Sequence, residues 1–372
     1  MNTIKKIGLT ALGTTLVASS AFAGELSVSG DAGYTWSSED IGGAAATPAT
    51  GTASTDGVGY NHDISFSGSG ELDNGWSVST SMILVEDSGI SSSNVKLTMG
   101  SMGSIQVGQG TGGTGASFDD ATPRAYEENH DGMATTTAID SMGAGLGNGG
   151  VDYYSPSFDL GGASASFMLN WTPEASGTAV GEGGVSTSSA DKAGGRALGI
   201  NVSMGALSAG AYGAVMDADT VLNTTAVTGT DMSDSFDGTW FVNYTAGPAS
   251  FGYQKGVIDR GLGAAANTVT TGAKTVAAAG GDFEVEKMSV AFNVNENFSV
   301  SWGELEETYD EQTNAAGGTE LADVSMESTS IQFAYTMGSM SIKGYQTDTD
   351  NPGWDSDAQS DEITEIAINF AF

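Results

Sequence analysis

The sequence contains no cysteine and only two histidines, His62 and His130. The first absence excludes disulfides, thiolate metal sites and a cysteine nucleophile. The second excludes a metal site with three histidine ligands. Basic residues are scarce: 11 Lys and Arg stand against 46 Asp and Glu, giving a net charge of −35. Nucleic acid is therefore a poor partner, because a phosphate backbone needs Lys and Arg to neutralise it. After Ala23 no apolar run approaches the ~18 residues of a membrane-spanning helix; the longest is Met82-Ile83-Leu84-Val85. Catalytic signatures are missing too. No G-x-S-x-G elbow occurs, and a Ser–His–Asp triad has only His62 or His130 to draw on. Gly108-Gln109-Gly110-Thr111-Gly112-Gly113 fits G-x-G-x-x-G, with Asp131 further on. A dinucleotide site also needs a following helix and a parallel βαβ repeat, and neither is legible. The chain reads as non-enzymatic, with no required cofactor.

What is present begins with an address. Lys5 and Lys6 precede a mostly apolar stretch, Ile7 to Ala18, and Ser19-Ser20-Ala21-Phe22-Ala23 follows. A basic start, a short apolar core and an Ala-x-Ala end read as a secretory signal over residues 1–23. An exported, cysteine-free chain without a helical anchor is a soluble protein, part of a surface array, or a membrane β-barrel.

The remainder, residues 24–372, alternates with a period of two. Leu26, Val28, Ala32, Tyr34 and Trp36 are separated by polar or small residues. Trp76, Val78, Thr80, Met82 and Leu84 repeat the pattern, as do Ala165, Phe167, Leu169 and Trp171. Met288, Val290 and Phe292, then Ile331, Phe333 and Tyr335, and finally Ile366, Ile368, Phe370 and Phe372 continue it. Such alternation marks strands with one apolar and one polar face, so the chain is all-β.

Connections come in two lengths. Seven are tight and mostly rich in Gly, Asn or Asp, as at Leu72-Asp73-Asn74-Gly75 and Met337-Gly338-Ser339. Eight are longer and polar, roughly 37–60, 86–93, 109–150, 173–196, 217–237, 258–282, 307–324 and 347–361. Fifteen connections predict sixteen strands, with both termini on the short-turn side. The polar face is mostly Ser, Thr, Asn and Gly, which suits a wet interior. Aromatics such as Trp36, Trp171, Trp240 and Tyr335 lie on the apolar face, as expected where a barrel meets lipid. Only a closed barrel satisfies every backbone group in lipid without helices, and sixteen strands leave an aqueous channel. The expected fold is a transmembrane antiparallel β-barrel.

These features together resemble a Gram-negative general diffusion porin, closest to its alphaproteobacterial branch. The resemblance rests on the leader, the layout of strands and turns, and Tyr154-Ser155-Pro156-Ser157-Phe158 after the longest loop. It also rests on the closing Ile366-Ala367-Ile368-Asn369-Phe370-Ala371-Phe372, whose terminal Phe372 is similar to the signal read by the outer-membrane assembly machinery. The resemblance implies an outer-membrane homotrimer, in contact with lipopolysaccharide, that passes ions and small hydrophilic solutes down their gradients. It implies a long third loop, here about 109–150, folded into the lumen as a constriction. That loop carries Asp119, Asp120, Arg124, Glu127, Glu128, His130, Asp131 and Asp140. The family sets basic residues on the opposite wall, and parity turns Lys96, Lys343 and Lys287 inward. Three scattered lysines against this acidic loop predict cation selectivity. His130 reads as an ordinary loop residue, and His62 as outward-facing.

The acidic loops also suggest bound Ca²⁺ or Mg²⁺. Asp348, Asp350 and Asp355 form the candidate site, although Pro352 and Gln359 break the EF-hand pattern. Two rival readings remain: a channel with a dedicated solute site, and a surface-array or adhesin protein.

Overall fold

The computed structural model describes residues 24, 26–41, 53–85, 89–109, 115–131, 137–143, 146, 149–173, 194–217, 234–259, 268–271, 274–277, 282–310 and 322–372. The expected leader, residues 1–23, and residues 110–113 of the glycine-rich stretch lie outside them. The described strands are β1 Leu26–Ile41, β2 Ala53–Glu71, β3 Ser77–Leu84, β4 Ile90–Thr98 and β5 Ser104–Gln109. Next come β6, in two pieces (Val151–Tyr154 and Phe158–Asp159), β7 Ser164–Thr172, β8 Gly195–Met204, β9 Leu207–Met216 and β10 Ser235–Ala246. They are followed by β11 Ala249–Asp259, β12 Asp282–Asn295, β13 Phe298–Asp310, β14 Val324–Met337, β15 Met340–Asp350 and β16 Asp361–Ala371. Each pairs antiparallel with the next, and β16 pairs back onto β1, closing a sixteen-stranded barrel. Residues 268–271 and 274–277 form a separate small hairpin.

Closure extends to the last residue. The Gly30 N–H donates to the Phe372 carbonyl and the Phe372 N–H to the Gly30 carbonyl, both at 2.9 Å. A Cβ at position 30 would lie 2.9 Å from the Phe372 ring, so glycine is what lets the chain end pack there. At the tight turns, Gly205, Gly247 and Gly338 have φ of 59°, 61° and 63°, and the residues after them keep negative φ. That is the requirement of a two-residue type II′ turn, whose twist matches the strands it joins. The break in β6 falls at Pro156, which has no N–H for the ladder. Ser155 bridges the gap: its N–H donates to the Phe167 carbonyl at 2.9 Å, and its Oγ accepts the Phe167 N–H at 2.8 Å.

Two expectations are corrected. The first connection does not begin at residue 37, because β1 runs to Ile41 and β2 starts at Ala53. Ser37 and Glu39 still pair with Gly57 and Thr55. Apolar–polar alternation fades where both faces are polar, but the backbone ladder does not need it. The same effect carries β15 to Asp350.

The second correction concerns the inner face. On the outer face Leu26, Val28, Tyr34, Trp171, Ile331 and Phe370 are exposed, as alternation requires. The opposite face, however, is not uniformly polar. In β12, Met288, Val290 and Phe292 point outward, yet toward the other end Phe283 and Val285 are buried on the inner parity while Glu284 and Glu286 take the outer one. In β13, Leu305 and Tyr309 are buried inside and Glu306 is exposed. These inner side chains join Ile258, Met326 and Trp354, together with Phe118, Ile139, Met142 and Leu146 of the third connection, in one apolar cluster. A barrel of polar interior would have left that connection nothing apolar to pack on.

Phe283 lies 4.7 Å from the Tyr309 ring and 4.9 Å from Trp354. Truncating such a side chain costs about 3–5 kcal/mol. Phe283→Ala is therefore expected to lower the temperature at which the folded form loses its compact gel mobility, measured by heating in SDS.

Candidate functional site

The third connection runs from β5 to β6. A chain that leaves a sheet and remains buried must have its N–H and C=O groups satisfied elsewhere. Here side chains of the barrel wall do this. Gln254 Oε1 accepts the Ala121 N–H at 2.9 Å, and its Nε2 donates to the Phe118 carbonyl at 2.6 Å. Gln332 repeats the arrangement: Oε1 accepts the Tyr126 N–H at 3.0 Å and Nε2 donates to the Glu127 carbonyl at 2.7 Å. Ser301 Oγ accepts the Ala125 N–H, Ser289 Oγ donates to the Pro123 carbonyl, and Asn243 Nδ2 donates to the Ala121 carbonyl. On the returning arm, the Glu307 carboxylate accepts the N–H groups of Ala138 and Ile139 at 2.8–3.2 Å. Asp237 Oδ2 accepts the Gly143 N–H at 2.7 Å. Asn170 and Thr172 both donate to the Leu146 carbonyl. Gln254, Gln332 and Glu307 are at most 1% exposed. Glu307 is read from sequence only as one of the acidic loop residues that could hold a cation, and neither glutamine stands out, because an inward Gln looks like any other polar residue on the wet face.

The expected acidic residues divide into two groups. Asp120 is buried, with Arg124 Nη1 at 2.7 Å and Lys287 Nζ at 3.6 Å. Burial opposes its ionisation, but the Lys287, Arg124 and His130 charges outweigh it and hold the carboxyl below its usual range. Lys287 is 1% exposed and also donates to the Asp119 carbonyl at 3.1 Å. The Asp119 carboxyl itself is pushed up to about 6, chiefly by burial and further by the Glu128 charge, with the Asp120 N–H acting the other way.

Glu127 belongs to the second group. With Asp31, Tyr126, Lys343, Asn61 and Asn369 it lines a cavity of about 550 Å³. Burial and the Asp131 charge raise the Glu127 carboxyl, while Lys343 draws it down. Lys343 Nζ lies 4.9 Å from the centre of the Tyr126 ring. Burial, together with the charges of Glu365 and Glu127, raises the Tyr126 phenol well above its ordinary range, and its hydroxyl donates to Glu365 Oε1 at 3.1 Å. Lys96 stands elsewhere, with Nζ 5.0 Å from the Tyr154 ring.

His130 is not the ordinary loop residue expected from sequence. It is buried, with Nε2 2.7 Å from Asp140 Oδ1 and 3.0 Å from Glu128 Oε2. Burial and Lys287 disfavour its protonation, but the hydrogen bonds to Asp140 and Glu128 prevail and its pKa is raised. Burial in turn opposes ionisation of Asp140, yet the hydrogen bond to His130 and its charge prevail and the carboxyl is lowered. Among the described residues these three are the one group of metal-capable side chains whose donor atoms all lie within 4.8 Å of one another. Asp348, Asp350 and Asp355 do not converge: Asp348 stands opposite Thr329 and Glu362, Asp350 accepts from Ser360, and Asp355 accepts the Asp357 N–H. His62 is on the outer parity, stacked on Tyr60.

If the wall side chains hold the crossing segment, removing one must loosen it. Glu307→Ala leaves the Ala138 and Ile139 N–H groups without acceptors, at a cost of about 1–3 kcal/mol each. Their hydrogen exchange is expected to accelerate by about tenfold or more, with β1–β3 amides unchanged, as read by mass spectrometry of the folded protein.

No family model and no curated protein matches the sequence. Solved structures do match over nearly the whole chain. Salmonella typhi OmpF, in complex with daunomycin, aligns with a TM-score of 0.60 at 13% identity, covering 94% of this chain and 98% of that one. A porin refined at 1.8 Å resolution gives 0.58 at 19% identity, covering 94% and 100%. The anion-selective porin from Comamonas acidovorans gives 0.58 at 16%, covering 94% and 100%. The chain has the closed sixteen-stranded fold of the porins.

Proposed function

We propose that the protein is an outer-membrane channel of a Gram-negative bacterium, through which ions and small hydrophilic solutes diffuse passively, with a preference for cations. The apolar outer face supports insertion in lipid, where a closed barrel leaves no backbone group unpaired. The observation that carries the reading is the third connection. It is bound to inner-wall side chains from Asn170 of β7 to Gln332 of β14 and presents Glu127 to a polar cavity shared with Asp31 and Lys343. In this reading the connection narrows the lumen and acts as the filter. No chemistry is performed, and size and charge at the narrowing select the solute. The porin-like fold supports a homotrimer, and Phe372 in register at the seam supports recognition by the outer-membrane assembly machinery.

In this reading the acidic residues of the third connection are not equivalent. Asp120 faces two cations, so its removal frees Arg124 and Lys287 rather than simply subtracting a pore charge. Glu127, which lines the cavity, sets the charge of the passage together with Asp119, Glu128 and Asp131 of the same connection. Replacing these four with Asn or Gln is expected to lower the cation/anion permeability ratio, read from reversal potentials in planar bilayers under a salt gradient. An unchanged ratio removes them from the filter.

The pH dependence follows from Asp119, whose carboxyl titrates near 6. Above that pH it is charged and attracts cations; as pH falls through about 6 it becomes neutral and that attraction is lost. Cation preference is expected to drop over this interval in the wild type. Asp119→Asn is expected to flatten the step, leaving only the lower-pH decline of the other carboxylates.

A further inference from the structure

Glu128, placed in the filter above, also converges with His130 and Asp140 on a single point. His130 Nε2 lies 2.7 Å from Asp140 Oδ1 and 3.0 Å from Glu128 Oε2. A ring nitrogen carries at most one hydrogen, so a single N–H faces two carboxylates. Among the described residues Nδ1 has no hydrogen-bond partner, and it is buried. The imidazole side chain is 5% exposed, whereas Glu128 and Asp140 keep 32% and 30%. A fixed nitrogen donor thus lies beneath two carboxylates that water can reach.

We propose that these three side chains form a binding site for one borderline divalent cation of the Mn²⁺ to Zn²⁺ series, held by His130 Nε2 and one oxygen from each carboxylate, with water completing the shell. The donor set selects the class of ion. Ca²⁺ and Mg²⁺ take oxygen ligands, whereas imidazole suits first-row transition ions, more strongly toward the end of the series. Spacing agrees. An ion about 2.0–2.2 Å from each ligand in a six-coordinate shell holds neighbouring donors about 3 Å apart, and the nitrogen–oxygen separations here are 2.7 and 3.0 Å. The side chains need to open by only a few tenths of an ångström. The ion takes the place of the hydrogen now shared between ring and carboxylates. Lys287, the nearby cation, is engaged by Asp120 at 3.6 Å and by the Asp119 carbonyl at 3.1 Å. The ligands come from two arms of the third connection, near 128–131 and 137–142, so a bound ion joins them.

The test is Co²⁺ titration of the full chain, folded in detergent, followed by visible absorption. It reads binding directly and does not depend on conductance. One Co²⁺ per chain is expected, not displaced by excess Ca²⁺. His130→Gln, Asp140→Asn and Glu128→Gln are each expected to weaken binding by about tenfold or more, and His62→Gln to leave it unchanged. No Co²⁺ band, displacement by Ca²⁺, or equal binding by the three variants overturns the proposal. If the buried His130→Gln does not fold, the more exposed Glu128→Gln decides alone: retained affinity refutes the site.

Discussion

The organisation of this barrel depends on one constraint: the backbone of the third connection, once drawn away from the strand ladder, needs hydrogen-bond partners that are not strands. The wall supplies them from side chains. Gln254 and Gln332 each offer an acceptor and a donor to two nearby peptide groups of the crossing chain, much as a neighbouring strand would. Glu307 and Asp237 accept from the returning arm. A carboxylate that accepts two or three backbone N–H groups is fixed by them as firmly as it fixes them. The segment is therefore a built element with a defined position, and its charged side chains inherit that position.

Packing reinforces the hydrogen bonds. A polar inner wall can orient a loop but gives it little hydrophobic reason to stay. The change of phase in β12 and β13 provides that reason. Toward the long-loop end their inner positions hold Phe283, Val285, Leu305 and Tyr309, against which Ile139 and Trp354 gather. At the same height the outer positions become acidic. Glu286, Glu306, Glu327 and Asp350 stand side by side across four strands, with Lys255 beside Glu286. Like charges directly opposite one another are unfavourable and tolerable only in water, so this row marks where the apolar outer band ends. The inside becomes apolar where the outside becomes wet.

Much of this was legible in sequence. Strand number, antiparallel order and closure follow from the alternation and from two classes of connection, because a period of two leaves little freedom in which side chains share a face. Outward placement of Trp171, Ile331 and His62 follows in the same way. The boundaries did not, since β1 continues through Ser37 to Ile41 on backbone pairing alone. The interior cluster was missed although its signal was present. Phe283 and Val285 are odd-numbered, whereas Met288, Val290 and Phe292 are even-numbered, and such a reversal within one strand says that the partner of each face has changed. Gln254 and Gln332 carried no such signal, because their partners are peptide groups more than a hundred residues away. His130 was read as incidental for a related reason: its carboxylate neighbours, at positions 128 and 140, come together only when the connection folds back on itself.

The charge arrangement bears on the proposed selectivity. A raw count sets three inward lysines and one arginine against the acidic connection. Two of those cations, Lys287 and Arg124, instead face the buried Asp120. Lys96 lies over Tyr154, away from the acidic group. Lys343 is the cation that shares the cavity with Glu127 and Asp31, and it lies over the Tyr126 ring. One ammonium opposite two carboxylates, with the Asp131 and Glu365 charges also acting on Glu127, leaves the local balance negative. If this cavity is the narrowing of the proposed channel, that imbalance acts more strongly on a passing ion than the same charges would on an open surface. The net charge of the whole chain matters less than the fact that its few cations on this wall are largely committed to holding the connection in place.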